Sequence, residues 1–220
     1  MKLSILTLTM PTRTSFLAKL KSNLAPQLTP EVEWLVRICD PKYSLGENRD
    51  MLRRCSRAEY ISWIDDDDRV SDDYVSSILP LLDGVDQIGF EVELWADGVK
   101  DPKRDIHSLS MWGWFDTPTH YNRDISHLQP MRRELALSEP MEGGHGEDKR
   151  WADRMRGKVK TEHYIDKVLY YYLFRSGKDR ASKCPRCQSV MTVHLATNDW
   201  CNQCGNEFSP HDTQKSCLWD

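Results

Sequence analysis

Four consecutive aspartates, Asp65, Asp66, Asp67 and Asp68, directly follow the apolar run YISWI at positions 60–64. Like charges at this density repel, so the run calls for something positive beside it. In an extended chain successive side chains alternate, which sends Asp65 and Asp67 to one side and Asp66 and Asp68 to the other. Two carboxylates on one side suit a hard cation. Mg²⁺ or Mn²⁺ typically takes one or two carboxylates and fills its shell with water and substrate phosphates, as a nucleotide diphosphate would provide. Such an ion neutralises the charge that develops on a departing diphosphate. The competing reading is a solvated acidic turn that complements the dipole of the next helix. A position at the end of a central strand favours the metal and the nucleotide.

A second cluster is made of thiols. Cys184 and Cys187 form one C-x-x-C pair and Cys201 and Cys204 another, with 13 residues between the pairs. Two such knuckles bring four thiolates to one tetrahedral Zn²⁺, and four thiolates leave no open position for water, so the zinc is expected to be structural. Cys39, Cys55 and Cys217 are scattered, and an odd total of seven with clustered pairs argues for reduced thiols and a cytoplasmic protein.

These groups need elements to hold them. Residues 3–9 and 32–39 read as short buried strands, each followed by helical spacing, and residues 60–64 as a third strand. Between them Met51, Leu52, Cys55 and Ala58 line one predicted helical face. Ser71 is a candidate cap for a helix with a stripe of Val75, Ile78, Leu79 and Leu82. A fourth strand over 87–94 ends in the turn Ala96-Asp97-Gly98. Residues 99–146 have weak periodicity and several aromatics, which predicts long pocket-building loops. A short helix over 147–156, with Trp151 and Met155 inward, and a late strand over 168–174 complete the pattern. Alternating strands and helices predict an α/β fold, Rossmann-like, with a mostly parallel sheet covered by helices on both faces and ligands at the strand C-terminal ends.

Length and composition set the outer bounds. The 220 residues hold one ordinary domain and an appendage, with 39% apolar and 29% charged residues. No apolar run reaches the roughly 18–20 residues of a membrane span, so no membrane partner is expected. The opening MKLSILTLTM lacks a small-residue cleavage site and reads as a buried strand. A formal charge of −4 conceals a basic stretch, because residues 149–183 carry 11 Lys and Arg against 4 Asp and Glu. That asymmetry suggests a polyanionic partner.

The order of motifs resembles family 2 glycosyltransferases of the GT-A fold over about residues 1–175, especially the small stand-alone enzymes of bacteriophages. The opening SILTLTMPTR looks like their first strand and nucleotide-binding loop, which implies that Pro11, Thr12 and Arg13 lie beside the donor. Asp40, closing VRICD, sits where the family binds the nucleotide base. The stretch SLGENRDMLRRCSRAEYISWIDDDD is similar to the family's run into its metal-binding Asp motif. It implies Arg49 and Asp66 beside the nucleotide, Asp65 on its ribose side and Asp67 on Mn²⁺ or Mg²⁺. HGEDKRWADRM looks like the family's Glu-Asp motif, with Asp148 as catalytic base and Glu147 as its positioning neighbour. The chemistry agrees, since an inverting transfer needs one carboxylate to take the acceptor hydroxyl proton. An acidic first helix turn is the competing reading for this pair. Where many GT-A enzymes supply a late metal-binding His, this chain has Tyr170, Tyr171 and Tyr172, with His163 nearby.

The resemblance implies a hexosyl- or pentosyltransferase using a nucleotide-sugar donor, with a preference for a UDP-sugar. The expected domains are 1–175 for GT-A, 176–183 for a linker and 184–220 for a zinc ribbon. The phage-like resemblance suggests a hydroxymethylated pyrimidine in DNA as acceptor, in the host cytoplasm. Trp112, Trp114 or Phe115 would stack the extruded base, and Lys149, Arg150, Arg154, Arg156, Lys158 and Lys160 would meet phosphates. His107, His127, Arg132 and Arg133 lie in segments, DIHSLSMWGW and SHLQPMRRE, that also look like the phage enzymes, which makes them, His127 and Arg132 first, further candidates for the acceptor or diphosphate pocket. A saccharide or protein acceptor, and a non-enzymatic zinc-ribbon protein that binds nucleic acid, remain alternatives.

Overall fold

The computed structural model describes residues 1–96, 101–174, 192–194, 199–201 and 207–208. It divides into two units, Met1–Phe174 and Arg175–Asp220. The first unit runs β1 (Leu3–Thr9), α1 (Thr14–Leu24), β2 (Val32–Ile38), α2 (Leu45–Arg54), β3 (Tyr60–Trp63), β4 (Arg69–Val70), α3 (Tyr74–Ile78) and β5 (Gln87–Ala96). It continues through β6 (Lys103–His107), β7 (Phe115–Asp116), β8 (His120–Arg123), β9 (Met131–Arg132), α4 (Arg133–Leu137), α5 (Glu147–Met155) and β10 (Glu162–Phe174).

Every residue of β1 is buried, as a strand covered on both faces must be. Its alternation splits the core in two. Leu3 and Ile5 join Leu20 and Leu24 of α1 and Tyr74, Val75 and Ile78 of α3 on one face. Leu6 and Leu8 join Leu52 of α2 and Trp151, Ala152 and Met155 of α5 on the other. Strand β1 pairs in parallel with β2 and β3, so the chain reverses direction of progress across the sheet between β1 and β3. Loops leaving the two strands diverge there and open a crevice at their C-terminal ends.

The rest of the sheet is mixed, in the order β2-β1-β3-β9-β5-β6-β8-β7. Strand β10 lies parallel to β5, β6 lies antiparallel to β5, and the short β9 bridges β3 and β5 antiparallel to both. Residues expected to be long loops therefore include β6, β7, β8 and β9, a wing built on β5. Their weak periodicity comes from shortness, since two to five residues are too few to show an alternation.

Two helix starts differ from expectation. Helix α2 begins before Gly46 because Ser44 and Glu47 form a reciprocal capping box. Its buried face is Arg49, Leu52 and Arg53, whereas Cys55 is exposed. Ser71 does not cap α3, which starts after Asp73 with no side-chain cap. The backbone carbonyl of Ser71 instead accepts from Gln27 Nε2 at 2.9 Å and from the Tyr74 amide at 3.1 Å. Asp97 and Gly98 of the expected turn lie outside the described residues.

In the second unit β11 (Thr192–His194), β12 (Asp199–Cys201) and β13 (Glu207–Phe208) form an antiparallel sheet. Cys184, Cys187 and Cys204 lie outside the described residues, and of Cys201 only the backbone, at the end of β12, is described. No helix among the described residues is long and apolar enough to cross a membrane.

Gly46, in the first turn of α2, packs against the chain leading into α5. Its amide donates to Gly143 O at 2.8 Å, and an added Cβ would fall 2.6 Å from backbone atoms of Glu142. Gly46→Ala is expected to destabilise the domain by about 1–3 kcal/mol through this overpacking. A lowered urea midpoint at unchanged m-value checks this, and an unchanged midpoint refutes the close contact.

Candidate functional site

Two adjoining hollows open at the C-terminal ends of β1 and β3, sharing Leu45, Arg49 and Asp65 in their walls. The smaller, of about 230 Å³, is lined by Thr9, Met10, Arg13, Cys39 and Asp65, Asp66 and Asp67. The larger, of about 340 Å³, runs past Asp65 to His127, Glu147, Asp148, Trp114 and the wall of the β5–β8 wing.

The aspartate run is not extended. Asp68 N–H donates to Asp65 C=O at 3.1 Å and closes a tight turn, so the expected two-and-two alternation does not occur. Each carboxylate finds its own environment. Asp65 accepts from Arg49 Nη2 at 2.9 Å. Asp66 is buried and accepts from the Thr9 hydroxyl at 2.6 Å, tying β1 to the turn. Arg13 reaches Asp66 at 2.9 Å and Asp67 at 2.5 Å. Asp68 points inward, accepting from the Tyr170 hydroxyl at 2.7 Å and the Leu173 amide at 2.8 Å. The same Tyr170 oxygen accepts the Asp65 amide at 3.1 Å.

Arg49 joins the two acidic motifs. It is 5% exposed, donates from Nε to Glu147 at 3.0 Å and from Nη2 to Asp65, and lies 4.8 Å from the Trp63 ring centroid. Burial alone would lower its pKa, but Asp65 and Glu147 outweigh that and raise it. Burial likewise pushes Asp65 up, and Arg49 with His127 more than offsets it, holding the carboxyl well below the usual carboxylate range. Asp66 has less help. Burial and the neighbouring Asp67 and Asp65 charges push it up to about 6 despite Thr9 and Arg13. Asp68 is driven well above the ordinary range, first by burial and then by Asp65.

Helix α5 presents Glu147 and Asp148 at its first turn, after Gly146 in a left-handed conformation at φ 81°. That conformation, easy for glycine, turns the chain sharply enough to aim the helix start into the cleft. His127 is 8% exposed and sits between the two motifs, with Nδ1 3.6 Å from Asp148 and Nε2 3.9 Å from Asp65.

The other sequence candidates divide. Trp114 lines the larger hollow and donates from Nε1 to Ile125 O at 2.6 Å. Trp112 is 89% exposed and is not among the residues lining the cleft. Pro11 and Thr12 form a short turn with Arg13 after β1, and neither lines the hollows. Asp40 follows β2, where its amide and carbonyl are held by the Asn48 side chain at 3.0 Å each. Arg132 lies elsewhere, near Asp86 and Glu134 in a surface hollow with Tyr60 and Gly84, because β9 carries it to the opposite end of β3. His163 pairs with Asp83 at 3.1 Å, away from the cleft. The basic run is largely engaged internally: Lys149 with Asp153, Arg150 with the carbonyls of Glu142, Gly144 and His145, Arg156 with Asp124, and Arg154 and Lys158 with Glu139. Sequence reading missed Thr9 and gave Tyr170 no role beyond replacing a histidine. The alternation of Tyr170 and Tyr172 along a strand was the available signal for the latter.

Fold and cleft together define an α/β domain of GT-A type. Among solved structures the chain is similar to that of S. aureus TarS residues 1–349 in complex with UDP-GlcNAc, with a TM-score of 0.59 and 15% identity over 81% of this chain. The same segment in complex with UDP gives 0.57 and 16% over 79% of this chain. The match spans 60% and 61% of those two TarS chains. No family model matches the chain, and no curated protein matches it in sequence.

A raised pKa at a buried carboxylate favours the protonated form in the folded state. The contribution of Asp66 to stability is therefore full below its unfolded value near 4 and is lost as pH rises through about 6. In metal-free protein, the unfolding free energy of wild type minus that of Asp66→Asn should fall by roughly 2 kcal/mol between pH 4 and pH 7. Urea unfolding across that range measures it, and a difference that stays flat or rises contradicts the burial argument.

Proposed function

We propose that the chain is an inverting, metal-dependent glycosyltransferase that moves a sugar from a nucleotide-diphosphate donor, with UDP-sugars first among them, to a hydroxyl acceptor. The observation that carries this is Arg49, which holds Asp65 and Glu147 on one guanidinium and so sets the aspartate turn and Asp148 on a single cleft at the β1/β3 crevice. UDP-GlcNAc and UDP in the TarS complexes support the donor class.

The donor set suits a divalent ion. Asp65 and Asp67 offer hard carboxylate oxygens beside the nucleotide hollow, and the Arg13 guanidinium at 2.5 Å from Asp67 marks the demand for positive charge there. Among the described residues no three His, Cys, Asp or Glu side chains converge as a cage. When bound, Mg²⁺ or Mn²⁺ would neutralise charge on the departing diphosphate. Arg13, with Pro11 and Thr12 in its turn, lies where a diphosphate would reach the end of β1, and Asp40 and Asp66 belong to the same nucleotide side. Asp148 takes the proton of the acceptor hydroxyl while its oxygen bonds to the anomeric carbon. The bond from that carbon to the diphosphate breaks, and the diphosphate leaves with the electron pair. His127, facing both Asp65 and Asp148, positions the base.

A hydroxymethylated pyrimidine in DNA is one acceptor of this kind, supported by the phage-type resemblance and by Trp114 in the cleft wall. The basic run lends it little, being engaged in internal pairs. Asp148→Asn should lower UDP release from UDP-sugars by about 10²–10⁴-fold, and EDTA should abolish it until Mn²⁺ is restored. Mass spectrometry of DNA nucleosides after incubation with UDP-sugars reads the acceptor. Full activity with EDTA present removes the metal from the scheme, and sugar found on saccharide with no nucleoside shifted assigns a saccharide acceptor.

The C-terminal unit is proposed as a zinc ribbon on Cys184, Cys187, Cys201 and Cys204. One zinc per chain should be released on thiol modification of the full chain, and a purified full chain that carries no zinc refutes the ribbon.

A further inference from the structure

A buried polar atom without a hydrogen-bond partner costs about 1–3 kcal/mol, so folded chains keep few of them. Here several line one cleft: Arg49 Nη1, Asp105 Oδ1 and both ring nitrogens of His107 and His127. Arg49 and His127 belong to the carboxylate end described above. Asp105 and His107 stand instead on β6, in the far wall, with Arg123 at the end of β8 and Trp114 beside it.

This wall is built, not incidental. His107 is 2% exposed and stacked on Phe90, with planes 9° apart and centroids at 6.2 Å. Its Nε2 lies 3.2 Å from Asp105 Oδ2, and Arg123 Nε lies 3.9 Å from the same oxygen. Arg123 is itself held 4.8 Å from the Trp114 ring centroid. Burial pushes the Asp105 pKa up, but His107 and Arg123 outweigh it and keep the carboxyl ionised. The wall thus offers a carboxylate oxygen that accepts, a guanidinium that donates and an imidazole that can do either, next to an indole. An anion would meet the Asp105 charge, and an apolar group would leave the unpartnered atoms unpaired. A neutral ring bearing hydroxyls both donates and accepts, and its face suits the indole.

We propose that Asp105, His107 and Arg123 form the acceptor subsite, and that it takes a neutral, hydroxyl-bearing ring whose reacting hydroxyl extends to Asp148. This rests on the glycosyltransferase reading. The hydroxyl oxygen bonds to the anomeric carbon of the nucleotide sugar, its proton passes to Asp148, and the nucleoside diphosphate departs with the electrons of the broken bond. A saccharide and a hydroxymethylated nucleoside share this chemistry.

The test measures UDP release by the full chain from UDP-glucose and UDP-GlcNAc with Mn²⁺, adding methyl glycosides in one arm and 5-hydroxymethyl-2′-deoxycytidine in the other. One arm should accelerate release in the wild type. In Asp105→Asn and in the less buried Arg123→Gln, the acceptor KM should rise by about tenfold or more while the donor KM moves less than about twofold. Arg123→Lys should recover part of the loss. A donor KM that rises in step, an acceptor KM that does not move, or a wild type accelerated by neither arm overturns the subsite. A wild type that releases no UDP at all fails earlier, at the glycosyltransferase reading itself.

Discussion

The guanidinium of Arg49 is closed off from water and carries two carboxylates that are far apart in sequence, Asp65 after β3 and Glu147 at the head of α5. An arrangement of this kind holds only as a set. Removing one partner of a buried ion pair leaves an uncompensated charge at a cost of about 3–5 kcal/mol, so each member constrains the others. The consequence is geometric. Helix α2, which carries Arg49, becomes the post against which the aspartate turn and the start of α5 are both set. Its own start is fixed by the Ser44–Glu47 capping box and by the close approach of Gly46 to the 142–143 backbone.

Around that post the four aspartates are sorted by what they touch. Asp65 is held ionised by Arg49, Asp66 is pushed up by burial, Asp67 meets Arg13, and Asp68 is turned into the core toward Tyr170. Asp65, Asp66 and Asp68, residues of one type in one turn, thus acquire different protonation behaviour from their surroundings alone. Tyr170 matters because it grips the turn at two points, the Asp68 carboxylate and the Asp65 amide. It does so from β10, which lies parallel to β5. The cleft is therefore bounded by the switch-point crevice on one side and by the β5-based wing on the other.

Much of the fold was legible because its signals are local. Strand β1 was read at its full length, since buried strands write continuous apolar runs, and α5 was placed within one residue, since Trp151 and Met155 repeat at helical spacing. The wing was not legible. Strands of two to five residues carry too little alternation to distinguish them from loops, and β9 earns its place only by bridging β3 and β5. In the site, Asp65 to Asp67, Glu147 and Asp148 declared themselves by clustering. His127 could be carried only weakly, because a single histidine in an irregular segment has no pattern. Arg132 is a candidate through the resemblance of the segment SHLQPMRRE, yet β9 carries it to the other end of the strand.

The sequence alone determined which groups are available: a run of acids after a buried strand, an acidic pair opening a helix, and alternating elements that make an α/β sheet with a crevice at its strand ends. These follow from short-range rules of periodicity, capping and charge. The tertiary structure alone decided which groups meet. Arg49 reaches across nearly a hundred residues to Glu147, Tyr170 across a similar span to Asp68, and His107 and Asp105 come to face the same hollow as Asp148. Such meetings depend on strand order and on the turn that breaks the aspartate alternation. Both are set by long-range packing, which no local window of residues encodes.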